Sequence, residues 1–190
     1  MLKRMIAVLL LKREAYREIS EDTTATWQAG LIVLVASLVQ GFLTGLVEVD
    51  KQTELVSADL GQAMEKALAV LVAGLIAWLV TALVLIVLAR LLGGRANAGA
   101  MLRVTGYVEV FTLVLVLGLL ALAVPALIFL MEIVILAAAI LAAIGYIIGV
   151  SEASGISIRR SFVASIAAGI INLLVVIFLA DMILRAFGVW

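Results

Sequence analysis

The sequence predicts an all-α integral membrane protein: a bundle of five transmembrane helices preceded by a short N-terminal amphipathic interfacial helix. Three observations predict it. Hydrophobic residues make up 66% of the 190-residue chain and charged residues only 14%, with a mean hydropathy of +1.33. An ordinary globular domain is about 45–50% apolar and about 25% charged, so a soluble fold would expose large aggregating patches. Five uncharged runs, 23–47, 67–89, 110–131, 133–151 and 161–180, match the length needed to cross a hydrocarbon core about 30 Å thick. The basic residues, finally, gather on one side of those runs.

Residues 1–27 read as a cytoplasmic amphipathic segment and 28–190 as the membrane domain. A helix over 2–19 would place Leu2, Met5, Ile6, Leu9 and Tyr16 on one side, among scattered Lys and Arg. A small-residue cleavage site is missing after residue 11, where Lys12-Arg13-Glu14 follows, so a signal peptide is rejected. The spacing predicts spans at 28–47, 66–89, 104–124, 126–149 and 160–184. The 44 residues from Tyr107 to Val150 would extend roughly 66 Å as a helix, too far for one crossing. Pro125, the only Pro, lies near their middle and predicts a tight turn at 123–126.

Orientation follows from Lys and Arg near the span ends. Lys3, Arg4, Lys12, Arg13, Arg17, Arg90, Arg95, Arg103, Arg159 and Arg160 fall on one side, and Lys51, Lys66 and Arg185 on the other. The split places the N-terminus in the cytoplasm and the C-terminus outside. Trp27, Tyr107 and Tyr146 fall at the predicted inner boundary and Trp190 at the outer one, as interfacial anchors do. Trp78 is mid-span and is the exception.

The residue types present limit the chemistry. The chain has no Cys and no His, which removes disulfides, thiol nucleophiles, the commonest zinc ligand and the commonest general base. No cofactor or metal is expected, and an enzyme is not. Carboxylates remain. Glu132, Asp181, Lys66 and Arg185 approach one level in the outer leaflet and form a candidate intramembrane polar cluster, read either as a proton or cation site or as structural pairing. Glu109 is expected to pair structurally, with Arg103 in reach. Gly41 and Gly45, and Gly145 and Gly149, form small-residue motifs suited to close helix contact, inside the chain or with a partner. Asn172 is expected to bond a neighbouring helix. Gly93-Gly94-Arg95 lacks the Gly-Lys-Ser/Thr end of a phosphate-binding loop. The acidic outer segment of Glu48, Asp50, Glu54 and Asp59 is helix-compatible and lacks the spacing of a calcium loop. No basic patch interleaved with aromatics suggests a nucleic-acid partner.

Three stretches carry a family resemblance. They are Arg13-Glu-Ala-Tyr16-Arg-Glu-Ile19 before the first span, Arg103-Val-Thr-Gly106-Tyr107 at the entry to the third, and the closing connection from Gly149 to Ser161 with the small-residue helix beyond it. In these the chain resembles the Yip family, the Ypt/Rab-interacting five-span membrane proteins, in its prokaryotic type. The resemblance implies five spans, a cytoplasmic N-terminus and a prokaryotic cell membrane. Eukaryotic relatives that bind Rab-type GTPases often carry an Asp-Leu-Tyr-Gly-Pro segment, which is absent here, so binding of such a GTPase is not expected. The leading functional expectation is a non-enzymatic scaffold or accessory subunit of a membrane complex, working through helix contacts with other membrane proteins or a second copy in the lipid bilayer. The alternative is a small permease or channel using the intramembrane carboxylates.

Overall fold

A computed structural model describes residues 1–49, 56–58, 60–118 and 128–186, with side chains described for 1–46, 60–117 and 129–172. The elements are α1 (Leu2–Leu9), α2 (Arg13–Glu21), α3 (Ala25–Leu46), β1 (Val47–Val49), β2 (Val56–Ala58), α4 (Leu60–Leu91), α5 (Ala98–Val108), a 3-10 segment (Glu109–Gly118), α6 (Ile128–Ser154) and α7 (Ile158–Ala186). Four segments are long and apolar enough to cross a membrane among the described residues: Ala25–Leu46, Leu60–Leu91, Ala98–Leu117 and Phe129–Ser154.

The outer faces of these helices are apolar. Along α4, Leu60, Met64, Leu68, Val72, Ile76, Leu79, Leu83 and Val87 are all exposed, a stripe of three- and four-residue steps. In water such a stripe would have to be covered; facing lipid tails it needs no cover. The protein core is correspondingly off-centre. Its largest fully buried side chains include Tyr16, Ile19, Ile32, Leu85, Met101, Val104, Tyr107 and Val150, contributed by α2, α3, α4, α5 and α6. That core lies toward the end of the bundle where α2 packs on α5 and α6.

The longest seam joins α3 to α4, and glycine makes it possible. A Cβ on Gly41 would lie 2.5 Å from the Lys66 carbonyl oxygen, and one on Gly45 would lie 2.6 Å from that of Gln62. Backbone therefore meets backbone at two levels one turn apart, as small residues four apart allow.

Three expectations change. The single helix over 2–19 is two helices. Leu11 takes a left-handed φ of 54°, while its amide bonds the Val8 carbonyl and the Lys12 amide bonds the Ala7 carbonyl. That pattern ends a helix in the manner usually assigned to Gly. Tyr16 consequently turns inward, fully buried, with its hydroxyl donating to the Val8 carbonyl at 3.2 Å, whereas Leu2 and Ile6 remain exposed. The third span begins as α-helix at Ala98 and continues from Glu109 as a 3-10 helix. Val110, Thr112, Val114 and Val116 fall in that part, and β-branched residues crowd the α-helical turn. The chain is helical as expected apart from one short antiparallel pair, β1 and β2, with Val47 opposite Ala58 and Val49 opposite Val56, in the acidic segment that the sequence reads as helix-compatible. Asp50, Glu54, Asp59, Lys51 and the expected turn at 123–126 lie outside the described residues.

The connection from α4 to α5 carries the same helix stop with its usual residue. Gly93 has a φ of +85°, its amide bonds the Arg90 carbonyl, and the Gly94 amide bonds the Ala89 carbonyl at 2.8 Å. The Arg95 amide then bonds the Ser154 carbonyl at the end of α6, and the Arg160 guanidinium donates to the Leu92 carbonyl. Asn97 caps α5 by accepting from the Gly99 amide. Two turns and two helix ends are thereby tied together on the side that carries α1 and α2.

Candidate functional site

Two features stand out: a clamped polar ledge at one end of the bundle and a polar chamber inside it. The ledge is α1 and α2. Arg4 bonds Glu18 at 2.7 Å and Asp22 at 2.7 Å, fastening α1 to the end of α2. Glu152, near the end of α6, keeps only 7% of its side chain exposed and receives Arg13 at 2.5 Å and Arg17 at 3.1 Å. Arg103, buried on α5, donates to the carbonyls of Ile19 and Ser20 and to the Thr26 hydroxyl. Those carbonyls belong to the last turn of α2, where helix oxygens lack partners and the dipole favours a cation.

Electrostatics follow the same contacts. Asp22 accepts from the Thr24 hydroxyl and amide and pairs with Arg4, which together hold its carboxyl down to about 2. Arg4 is held above its ordinary range, chiefly by its bond to Glu18. Burial pushes the Tyr16 phenol up. The ledge is thus an ionic structure fixed to two elements of the bundle, α5 and α6.

The chamber lies among α3, α4, α6 and α7, at the point where α5 becomes the 3-10 segment, and has a volume of about 290 Å³. Glu109 provides its carboxylate: the Tyr146 hydroxyl donates to Oε1 at 2.7 Å and the Thr112 hydroxyl to Oε2 at 3.1 Å. Around it stand Ser37 and Gln40 from α3, Trp78 and Thr81 from α4, and Ser165 and Asn172 from α7. Val33, Ala77, Leu85 and Ala168 supply apolar wall. Asn172 donates to the Thr81 hydroxyl at 2.9 Å, the interhelical bond expected of it. Trp78, the mid-span exception, donates its indole N–H to the Thr105 hydroxyl at 3.0 Å and the Leu102 carbonyl at 3.2 Å. A buried indole needs such a partner. Gly74 allows this crowding, since a Cβ there would collide with the Ser37 hydroxyl.

Glu109 is therefore not paired with Arg103, which serves α2 instead. The two are six residues apart, about 240° around a helix, so they point to different sides. Tyr107 is buried rather than interfacial, with its hydroxyl donating to Gln28, and Tyr146 faces the chamber. Glu132 and Lys66 are both exposed and make no ion pair among the described residues. Asp181 and Arg185 lie in α7 with side chains outside the described residues. Gly41 and Gly45 meet α4, as above, while Gly145 and Gly149 meet α2: a Cβ at either would stand 2.8 Å from the Tyr16 hydroxyl or 3.3 Å from its ring. One signal in the sequence does mark the chamber. Every element around it carries a polar residue roughly 10–20 Å from the ledge end of its helix. Among the described residues, no group of three carboxylates is placed to hold a metal ion.

Comparison with known proteins agrees with the resemblance seen in the sequence. The family model described as the Yip1 domain matches residues 6–180, from the middle of α1 well into α7. Neither a curated protein nor a solved structure matches the chain. A match over nearly the whole length, on a helical bundle with several membrane-length segments, places this chain in the Yip1 domain family.

Proposed function

We propose that this chain is a non-enzymatic, five-span membrane scaffold or accessory subunit, with its N-terminus in the cytoplasm, presenting a rigid ledge to partners at the membrane surface. The clamped ledge carries the reading. A free amphipathic segment would hang from the first span; here α2 is bolted to α5 through Arg103 and to α6 through Glu152. That is the architecture of a displayed surface. The apolar side chains Leu2, Ile6 and Leu10, exposed on and just after α1, support an interfacial position for that helix. The fifth span is α7, whose 29 residues would extend about 43 Å. The ten basic residues on the ledge side support its cytoplasmic placement.

The expected partners are other membrane proteins or a second copy of the chain, since apolar helix faces and a surface ledge offer both lateral and cytoplasmic contact. Solubilisation in mild detergent after cross-linking through introduced cysteines on the ledge, such as Glu14→Cys, tests this. A stoichiometric partner or homo-oligomer is expected. A monomer that cross-links to nothing at native abundance overturns the scaffold reading. An alkaline phosphatase fused to the C-terminus should be active, and an inactive fusion overturns the five-span topology.

A further inference from the structure

We infer that the chamber around Glu109 is a binding site for a small primary alkylammonium cation. The inference stands apart from the scaffold reading and rests on the chamber's own chemistry. Glu109 lies eleven residues beyond the start of α5, about 16 Å into the bundle, where an uncompensated charge is costly. Both its oxygens accept from hydroxyls, yet no Lys or Arg is among the described residues that line the chamber. A cation is the missing complement.

The rest of the lining selects the kind of cation. Ser165 Oγ is buried with no hydrogen-bond partner among the described residues, so the lining holds a polar group whose bonding capacity is unused. A hard metal ion demands six or more converging oxygens, and Glu109 shares its own with two hydroxyls. An ammonium head needs only three acceptors, and Trp78 and Tyr146 are among the lining side chains. Val33, Leu85 and Ala168 make the remaining wall apolar, which suits a short alkyl tail. The volume of about 290 Å³ is at the lower end of small-molecule sites, about 300–1,000 Å³, so the ligand is small. Gln40 and Gly169 are the exposed members of the lining, and entry is on their side.

The test is calorimetric titration of the full chain in detergent micelles with n-propylammonium chloride, n-propanol and sodium chloride. Saturable binding of n-propylammonium alone is expected. Glu109→Gln should weaken it at least tenfold while leaving circular dichroism and elution volume unchanged. Ser165→Phe, which fills the chamber while leaving Glu109 in the sequence, should abolish it and decides the matter if Glu109→Gln does not fold. Equal binding of n-propanol, the same heat from sodium chloride, no binding of n-propylammonium, or wild-type binding by the folded variants overturns the site.

Discussion

Gly45→Ala places a methyl group in the α3–α4 seam where no space exists. Its Cβ would stand 2.6 Å from the Gln62 carbonyl oxygen and 2.7 Å from Ala63 Cα, both backbone atoms that cannot rotate away. Ordinary contact begins near 3.4 Å, so the helices must separate by roughly 0.8 Å at this level. A gap of that size forfeits about a quarter to a half of the dispersion energy of each contact it opens. Overpacking of this kind costs about 1–3 kcal/mol. Gly41→Ala acts one turn away on the same seam, so the pair should cost less than the sum, because the first substitution already parts the helices. Unfolding of the purified protein in mixed micelles with increasing dodecyl sulfate, followed by Trp fluorescence, measures the shift. The midpoint should fall while the oligomeric state stays constant. A Gly45→Ala protein within about 0.5 kcal/mol of wild type refutes the seam. So does a changed oligomeric state with unchanged unfolding, which would put these glycines between copies of the chain.

Other consequences are independent of that seam. Glu152→Ala releases Arg13 and Arg17, and because both arginines are more than half exposed they return to water and the cost should be about 0.2–1 kcal/mol per pair, with faster amide exchange across α2 as the readout. Asp22, held near 2 by Thr24 and Arg4, contributes stability that is complete above the ordinary value of 3.8 and is lost as pH falls through about 2. Asp22→Asn should therefore flatten the acid limb of the unfolding profile, and an unchanged limb would remove Asp22 as its cause. Trp78→Phe deletes the donor to Thr105 and Leu102 and should cost about 0.6–1.7 kcal/mol in the same micelle assay, since the unfolded chain in the bilayer finds other partners.

Four membrane-length segments were legible in the sequence because apolar composition alone decides whether a helix can sit in lipid. The stop after α4 was also marked, by Gly93 and Gly94. The break after α1 was not, because Leu11 adopts the left-handed turn and no Gly announces it. Such a residue is held there by its surroundings, at a cost of about 1–2 kcal/mol. The chamber was missed for a different reason. Glu109 and Tyr146 meet across 37 positions, and Thr81 and Asn172 across 91, and no local pattern reports contacts of that range. Glu132 is exposed, and apart from Glu109 the chamber's polar groups are uncharged Ser, Thr, Asn, Gln, Tyr and Trp side chains, residue types that carry no charge signal in the sequence. Arg103 shows the same limit: besides the Thr26 hydroxyl, its partners are backbone carbonyls of α2, and carbonyls leave no trace in residue identity.

The 3-10 segment also acts as a ruler. Its ten residues rise about 2.0 Å each, against about 1.5 Å in an α-helix, and turn about 120° each instead of about 100°. Rewinding Glu109–Gly118 as α-helix would shorten it by about 5 Å and swing its far end through roughly 200°. The direction in which the chain leaves the third span is therefore encoded in winding rather than in side-chain order. A single inserted or deleted residue in this stretch would redirect everything beyond it, while the same change in an exposed loop would be absorbed.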